Sequence, residues 1–187
     1  MKQYALGLDY GTNSCRALIV DLEDGREVAA SVFDYPSGEA GILLDPSEPN
    51  LARQNPQDYV DGLDSVRRAC ERARENDADF DPARIVGIGI DTTGSTPLPV
   101  DDTGTPLEFH PEFQDDLNAM AWLWKDHTGH AEALTITETA QKMRPQYLAK
   151  CGNTYSSEWF WSKARHCRRV APEVFAVWRR GESAWAL

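Results

Sequence analysis

Asp9 is followed at short range by Gly11, Thr12, Asn13 and Ser14, with Arg16 two residues further on. A carboxylate beside a run of small polar residues suits phosphate chemistry. Glycine and asparagine tolerate the positive φ that tight turns can require. Successive backbone N–H groups in such a turn, joined by the Thr12 and Ser14 hydroxyls, form a concavity for an anion. Asp9 would complete it through a hydrated Mg²⁺, an ion that takes one or two carboxylates together with phosphate oxygens. Two strands must position this cluster: the apolar Leu6-Gly7-Leu8 run ending at Asp9, and Ala17–Asp21 after the turn, together a hairpin signal. An ordinary hairpin carrying a surface aspartate has the same pattern, and residue types alone leave both readings open.

A second group of chemistry-bearing residues comes later in the chain. Ile85–Asp91 reads as a continuous apolar strand, of the kind buried on both faces of a sheet. It delivers a small polar loop containing Gly94 and Ser95, and the carboxyl end of such a strand is where α/β proteins hold ligands. A glycine-rich connection between strands is the plainer reading. Further on, Trp122 and Trp124 precede Lys125, Asp126 and His127. Trp124 can offer a flat apolar platform to the C–H face of a sugar, with the polar residues after it bonding hydroxyls. Alternatively both tryptophans are core and Lys-Asp-His is a solvated helix end. His127 and His130, with Asp126 and Glu132 nearby, have metal-like spacing, but no further histidine or cysteine supports it.

Composition narrows the classes. The 187 residues suffice for one domain with a real core, or at most two small ones. A hydrophobic share of 41% with 10% aromatics implies a folded chain. No apolar run approaches a membrane span and the amino terminus lacks a signal pattern, so the cytoplasm is the expected location. With 19 basic against 30 acidic residues, the net charge of −11 disfavours nucleic acid or an anionic membrane as partner. Cys15, Cys70, Cys151 and Cys167 form no C-x-x-C pair, which favours free thiols in a reducing compartment.

The remaining elements follow from pattern. Glu27–Tyr35 reads as a third strand and 36–55 as a loop rich in Pro, Gly and Ser. A helix starts at Pro56 behind Asn55, with Tyr59, Leu63, Val66 and Cys70 on its apolar face. Arg67, Arg68, Arg72 and Arg74 form its solvated side. Pro97–Val100 is a further strand, and Ala131–Met143 is a helix ended by Arg144-Pro145. Another helix follows a Ser156 or Ser157 cap, with Glu158 in its first turn. A last short helix covers Glu173–Trp178.

The stretch D-x-G-T-x-S-x-R at residues 9–16 resembles the first phosphate motif of the FGGY carbohydrate kinases. L-W-K-D-H-T at 123–128 and Y-S-S-E-W-F-W-S-K at 155–163 are similar to members acting on ketopentoses. The resemblance runs from about Tyr4 to about Val177. It implies an α/β fold: a ribonuclease H-like, actin-like ATPase domain with a mixed sheet and flanking helices, here incomplete. It implies transfer of the ATP γ-phosphoryl group to a primary hydroxyl of L-ribulose or a related ketopentose. Asp9 would serve Mg²⁺ through water, and Gly11, Thr12, Asn13 and Ser14 would lie against the transferred phosphate, with Arg16 a nearby cation. Gly94 and Ser95 would leave room for the sugar, and Trp124, Lys125 and Asp126 would contact it.

The resemblance reaches only the first part of a longer two-domain kinase, and the tail 178–187 departs from it. The catalytic base aspartate is therefore expected beyond residue 187; neither Asp91 nor Asp126 matches its motif. A truncated chain, inactive by itself, is the expectation, and self-association stays open. One rival is a non-catalytic nucleotide-binding or scaffold module on the same fold. A two-metal nuclease built on Asp9 and Asp91 is a poorer third, because it calls for a tighter carboxylate cluster and a basic face.

Overall fold

A computed structural model describes residues 2–179 and 185–186. The elements run β1 (Tyr4–Tyr10), β2 (Ser14–Asp21), β3 (Glu27–Asp34), β4 (Leu43–Asp45), β5 (Glu48–Gln54), α1 (Pro56–Asp61), α2 (Asp64–Asn76) and β6 (Ile85–Thr92). Then come β7 (Leu98–Pro99), β8 (Ala121–Trp122), α3 (His130–Met143), α4 (Pro145–Leu148), α5 (Phe160–Val170), α6 (Pro172–Arg179) and β9 (Trp185–Ala186). The chain divides into two units: Met1–Ile42 with Gln57–Thr93, and Leu43–Pro56 with Gly94–Leu187.

The first unit is built on a four-stranded sheet in the order β3-β2-β1-β6. β1 pairs antiparallel with β2 and parallel with β6, giving the mixed sheet expected. Period-two alternation puts Tyr4, Leu6 and Leu8 of β1 on one face with Cys15, Ala17 and Ile19 of β2, and all are buried. α2 covers that face over β2 and β3 through Ser65, Ala69 and Ala73, small residues four apart that let the helix come close. Of the expected apolar face, Tyr59, Val66 and Cys70 do pack against this core, but the expected single helix is corrected to two. It breaks at Gly62, where a Cβ would stand 2.7 Å from the Cys15 Cβ, and Leu63 is left 49% exposed.

The base of this unit is tied by Asp77. Its carboxylate accepts from Lys2 Nζ at 2.9 Å, Arg26 at 3.1 Å and the Tyr4 hydroxyl at 3.3 Å. The Lys2 bond, foremost among these, holds the Asp77 carboxyl below its usual range. A depressed carboxyl stabilises the fold above its unfolded value of about 4 and loses that contribution as pH falls through the folded value. Asp77→Asn should therefore flatten the acid limb of a stability–pH curve, measured by urea unfolding between pH 7 and 2.

β6 is where expectation and structure part. It was read as buried on both faces, yet Val86, Ile88 and Ile90 are 57%, 64% and 65% exposed. β6 pairs only with β1, and α2 lies over β2 and β3, so no described element packs on its apolar side. Ile88→Thr should change stability by no more than about 0.5 kcal/mol. Ile19→Ala, in the core of the same sheet, should cost about 2–5 kcal/mol by the same urea measurement.

The second unit contains a sheet in the order β4-β5-β8 and the helices α3 to α6. The expected loop over 36–55 is corrected: its second half is the β4–β5 hairpin. Asp45 Oδ1 closes the turn by accepting from the Ser47 N–H at 2.8 Å and the Ser47 hydroxyl at 2.7 Å. β5 has no alternating pattern; it becomes a strand by pairing Arg53 with Trp122 and Gln54 with Ala121. α5 begins at Phe160 without a side-chain cap, later than the serines expected to start it. Ser156 instead accepts from the Glu158 N–H at 3.2 Å. Leu107, Ala119, Trp122, Cys167, Ala171 and Val174 form this unit's core. All four cysteines are free. Among the described residues no helix is long and apolar enough to cross a membrane. Residues 180–184 and 187 of the departing tail lie outside the described residues.

Candidate functional site

The expected phosphate turn joins β1 to β2. Asp9 stands opposite Arg16 in the ladder, and the Gly11 N–H donates to the Ser14 carbonyl at 2.9 Å. A Cβ on Gly11 would come within 3.3 Å of that carbonyl oxygen, so the tight closure favours glycine. Asn13 anchors the turn from two sides: its side-chain amide donates to the Ala40 carbonyl at 2.7 Å, and its backbone carbonyl accepts from the Tyr35 N–H at 2.9 Å. Gly11 and Thr12 are half-buried and Asn13 is exposed, whereas Ser14 is buried beneath the turn. Arg16 reaches back to Asp9 at 3.4 Å, both side chains largely in solvent.

One residue that sequence reasoning set aside joins this group. Parallel pairing places Asp91 opposite Asp9, at the same end of the neighbouring strand. Together with Gly7, Gly89, Arg16 and Leu18 they line an open concavity of about 500 Å³. A Cβ on Gly87 or Gly89 would meet nothing within 4 Å, so this side of β6 is left bare of side chains. Two carboxylates at adjacent strand ends, a guanidinium beside one of them and a backbone turn alongside fit a hydrated divalent cation with phosphate. Among the described residues no set of three His, Cys, Asp or Glu could hold a metal by direct ligation alone. The signal for Asp91 was present in the sequence, as an aspartate closing a second apolar strand.

The residues expected at a sugar lie in the second unit. Gly94 and Ser95 are exposed in a turn, where Ser95 adopts the left-handed φ of 57°. Trp124 is 40% exposed, and its N–H donates to Thr96 Oγ1 at 3.1 Å, which brings it beside that turn. Lys125 is half-buried. Trp122, by contrast, is wholly buried and belongs to the core.

Asp126, expected beside the sugar, is turned into the protein interior. It is fully buried, and its carboxylate accepts from the Ala52 N–H at 2.9 Å, the Thr128 N–H at 3.1 Å, the Thr128 hydroxyl at 2.5 Å and the Arg53 guanidinium. Arg53 is itself buried, with its guanidinium 3.5 Å from the Trp122 ring centroid and its Nε donating to the Leu117 carbonyl at 2.9 Å. Both Asp126 oxygens are occupied by protein donors. Through Ala52 and Arg53 it ties the loop that carries Trp124 and Lys125 to β5. His127 is likewise engaged, its Nδ1 2.8 Å from the Ser157 hydroxyl.

Lys163 closes the 155–163 stretch, yet by pattern a lysine on an amphipathic helix reads as solvated. It is fully buried, and its ammonium donates to the carbonyls of Ser95, Trp122 and Leu123 at 2.6, 3.1 and 2.8 Å. Removing Asp126 would leave Arg53 buried without its counter-charge, so Asp126→Ala should cost about 3–5 kcal/mol in urea unfolding. A loss below about 1 kcal/mol would mean that Arg53 has another way to be solvated.

No family model matches the chain. Among curated proteins it is 44% identical over 165 residues to a ribulokinase from Vibrio parahaemolyticus, covering 87% of this chain and 28% of that protein. It is 41% identical over 180 residues to a ribulokinase from Shouchella clausii, covering 94% of this chain and 31% of that protein. The chain thus spans about three-tenths of the length of these relatives. Among solved structures it aligns with a glycerol kinase from Plasmodium falciparum with ADP at a TM-score of 0.69 and 17% identity, over 100% of this chain and 32% of that one. A xylulose kinase from Rhodospirillum rubrum aligns at 0.65 and 22% identity, over 94% and 31%. These structures show the fold, the actin-like ATPase type with a mixed sheet and flanking helices.

Proposed function

We propose that this chain, a relative of the ribulokinases with the fold of the FGGY sugar kinases, is the amino-terminal portion of an ATP-dependent kinase for L-ribulose or a related ketopentose. The observation that carries the reading is the pairing of Asp9 with Asp91 beside the Gly11–Ser14 turn, at the mouth of a glycine-lined concavity. That arrangement suits a phosphate chain with its cation better than it suits any other class of ligand.

Mg²⁺, held through water by Asp9 with Asp91 alongside, would neutralise charge on the phosphates of ATP. The backbone from Gly11 to Ser14 would lie against the transferred phosphate, and Arg16 orients Asp9 while adding positive charge. Gly94 and Ser95, small and exposed, leave space beside the Trp124 face. Trp124 would stack on the sugar and Lys125 would bond a hydroxyl. Asp126 acts at one remove, by fixing the loop through Arg53. Catalysis on this plan is positioning and charge neutralisation. The carboxylate that accepts the hydroxyl proton is assigned to no residue of this chain. The net charge of −11 supports a small-molecule role over nucleic acid or an anionic membrane, and the free cysteines support the cytoplasm.

Two measurements test the proposal. The purified chain should form no ADP in response to L-ribulose, and ADP formation by it would contradict the assignment of the base elsewhere. It should bind ATP in a Mg²⁺-dependent manner by calorimetry. Asp9→Asn, a solvent-exposed change that leaves the fold intact, should weaken that binding about 10- to 100-fold while sparing any metal-free binding. Equal binding by Asp9→Asn and the wild type would sink the phosphate-turn reading.

A further inference from the structure

We propose that Lys163 is a positioning residue: its buried ammonium ties the Ser95 turn to the Trp122–Leu123 segment and so sets the orientation of Trp124. The functional half of this inference rests on Trp124 and Ser95 being the sugar-facing residues of the preceding section; the structural half does not.

An ammonium has three N–H donors and no acceptor. In Lys163 all three find backbone carbonyls, one on Ser95 and two on Trp122 and Leu123. The contacts therefore bind two segments of the chain to α5 at a single point. A second bond closes a ring, because the Trp124 N–H donates to Thr96 Oγ1, one residue from Ser95 and one from Leu123. Ser95 sits in the left-handed region, which a serine holds only when its surroundings impose it. The shortest of the three Lys163 bonds, 2.6 Å, falls on that residue's carbonyl.

Among the described residues no carboxylate stands at contact distance from the ammonium. The charged groups facing it are Asp126 after β8, Arg53 of β5 and Glu158 ahead of α5. Asp126 is committed to Arg53, Ala52 and Thr128, as described above. A buried cation held by carbonyls alone is costly, so it is sensitive to its own protonation. Burial, opposed by Asp126 and Glu158 and assisted by Arg53, pulls the Lys163 ammonium down from 10.5 to about 8. The sign follows: below about pH 8 the fold carries the cost of the buried charge and keeps three bonds. As pH rises from there toward the ordinary lysine value, that cost is relieved and the Ser95–Trp124 connection loosens.

The test uses the full chain labelled with 5-fluorotryptophan, its Trp124 ¹⁹F signal assigned by Trp124→Phe. In the wild type the Trp124 signal should move in one step with a midpoint near pH 8, while the core Trp122 signal moves less. Lys163→Met should abolish the step and hold Trp124 at its high-pH position from pH 6.5 upward; His127→Gln should keep the step. A flat Trp124 signal in the wild type, a step common to all tryptophans, or a step that survives Lys163→Met overturns the proposal. If Lys163→Met does not fold, the wild-type titration decides alone. Added L-ribulose separates the two readings. It should shift the Trp124 signal at pH 6.5, with apparent affinity falling severalfold or more by pH 9.5 as the ordered loop is depopulated. A pH step without a sugar shift removes the sugar reading and leaves Lys163 as a positioning residue. A sugar shift without a pH step does the reverse.

Discussion

The second unit depends on a buried ion pair. Arg53 and Asp126 are both withdrawn from water, and such a pair is tolerable only when its remaining hydrogen-bonding capacity is met. Here it is met. Asp126 gathers backbone and hydroxyl donors from both segments it joins, and Arg53 lies against the Trp122 face and reaches the Leu117 carbonyl. The consequence is positional: β5 and the loop after β8 cannot move independently, so Trp124 leaves the core at a fixed place. Lys163 adds a second buried cation a short way off, satisfied by carbonyls rather than by a carboxylate. Two cations and one anion in one interior make this region costly to assemble and rigid once assembled.

The first unit is governed by a different constraint, close approach. Gly62 permits α2 to reach β2, Gly11 lets the turn close, and Gly7, Gly87 and Gly89 leave β1 and β6 open beside Asp9 and Asp91. The opposite face of β6 bears Val86, Ile88 and Ile90 with no described element upon it. Its residues are those of a strand covered on its apolar side.

What the sequence disclosed was what is local. The β1–β2 hairpin was legible because Gly11 and Asn13 announce the turn between two apolar runs, and α3 was legible because Arg144-Pro145 stops it. β5 was not: its own residues do not alternate, and one of its two partners, β8, lies some seventy residues away. The close approach at Gly62 was hidden because the side chain it accommodates, Cys15, belongs to another strand. Asp126 and Lys163 look solvated in sequence, where charge implies water; only the fold shows donors and acceptors waiting for them inside. Asp91 was legible as a strand-end aspartate, but its value came from the parallel register that sets it against Asp9.

The measurement that bears most directly on the central claim is a chimera. The matching amino-terminal stretch of a curated ribulokinase would be replaced by residues 4–177 of this chain, and L-ribulose-dependent ADP formation assayed. The account predicts an active kinase whose activity is lost on Asp9→Asn. A folded chimera with no activity, or one indifferent to Asp9, would contradict it.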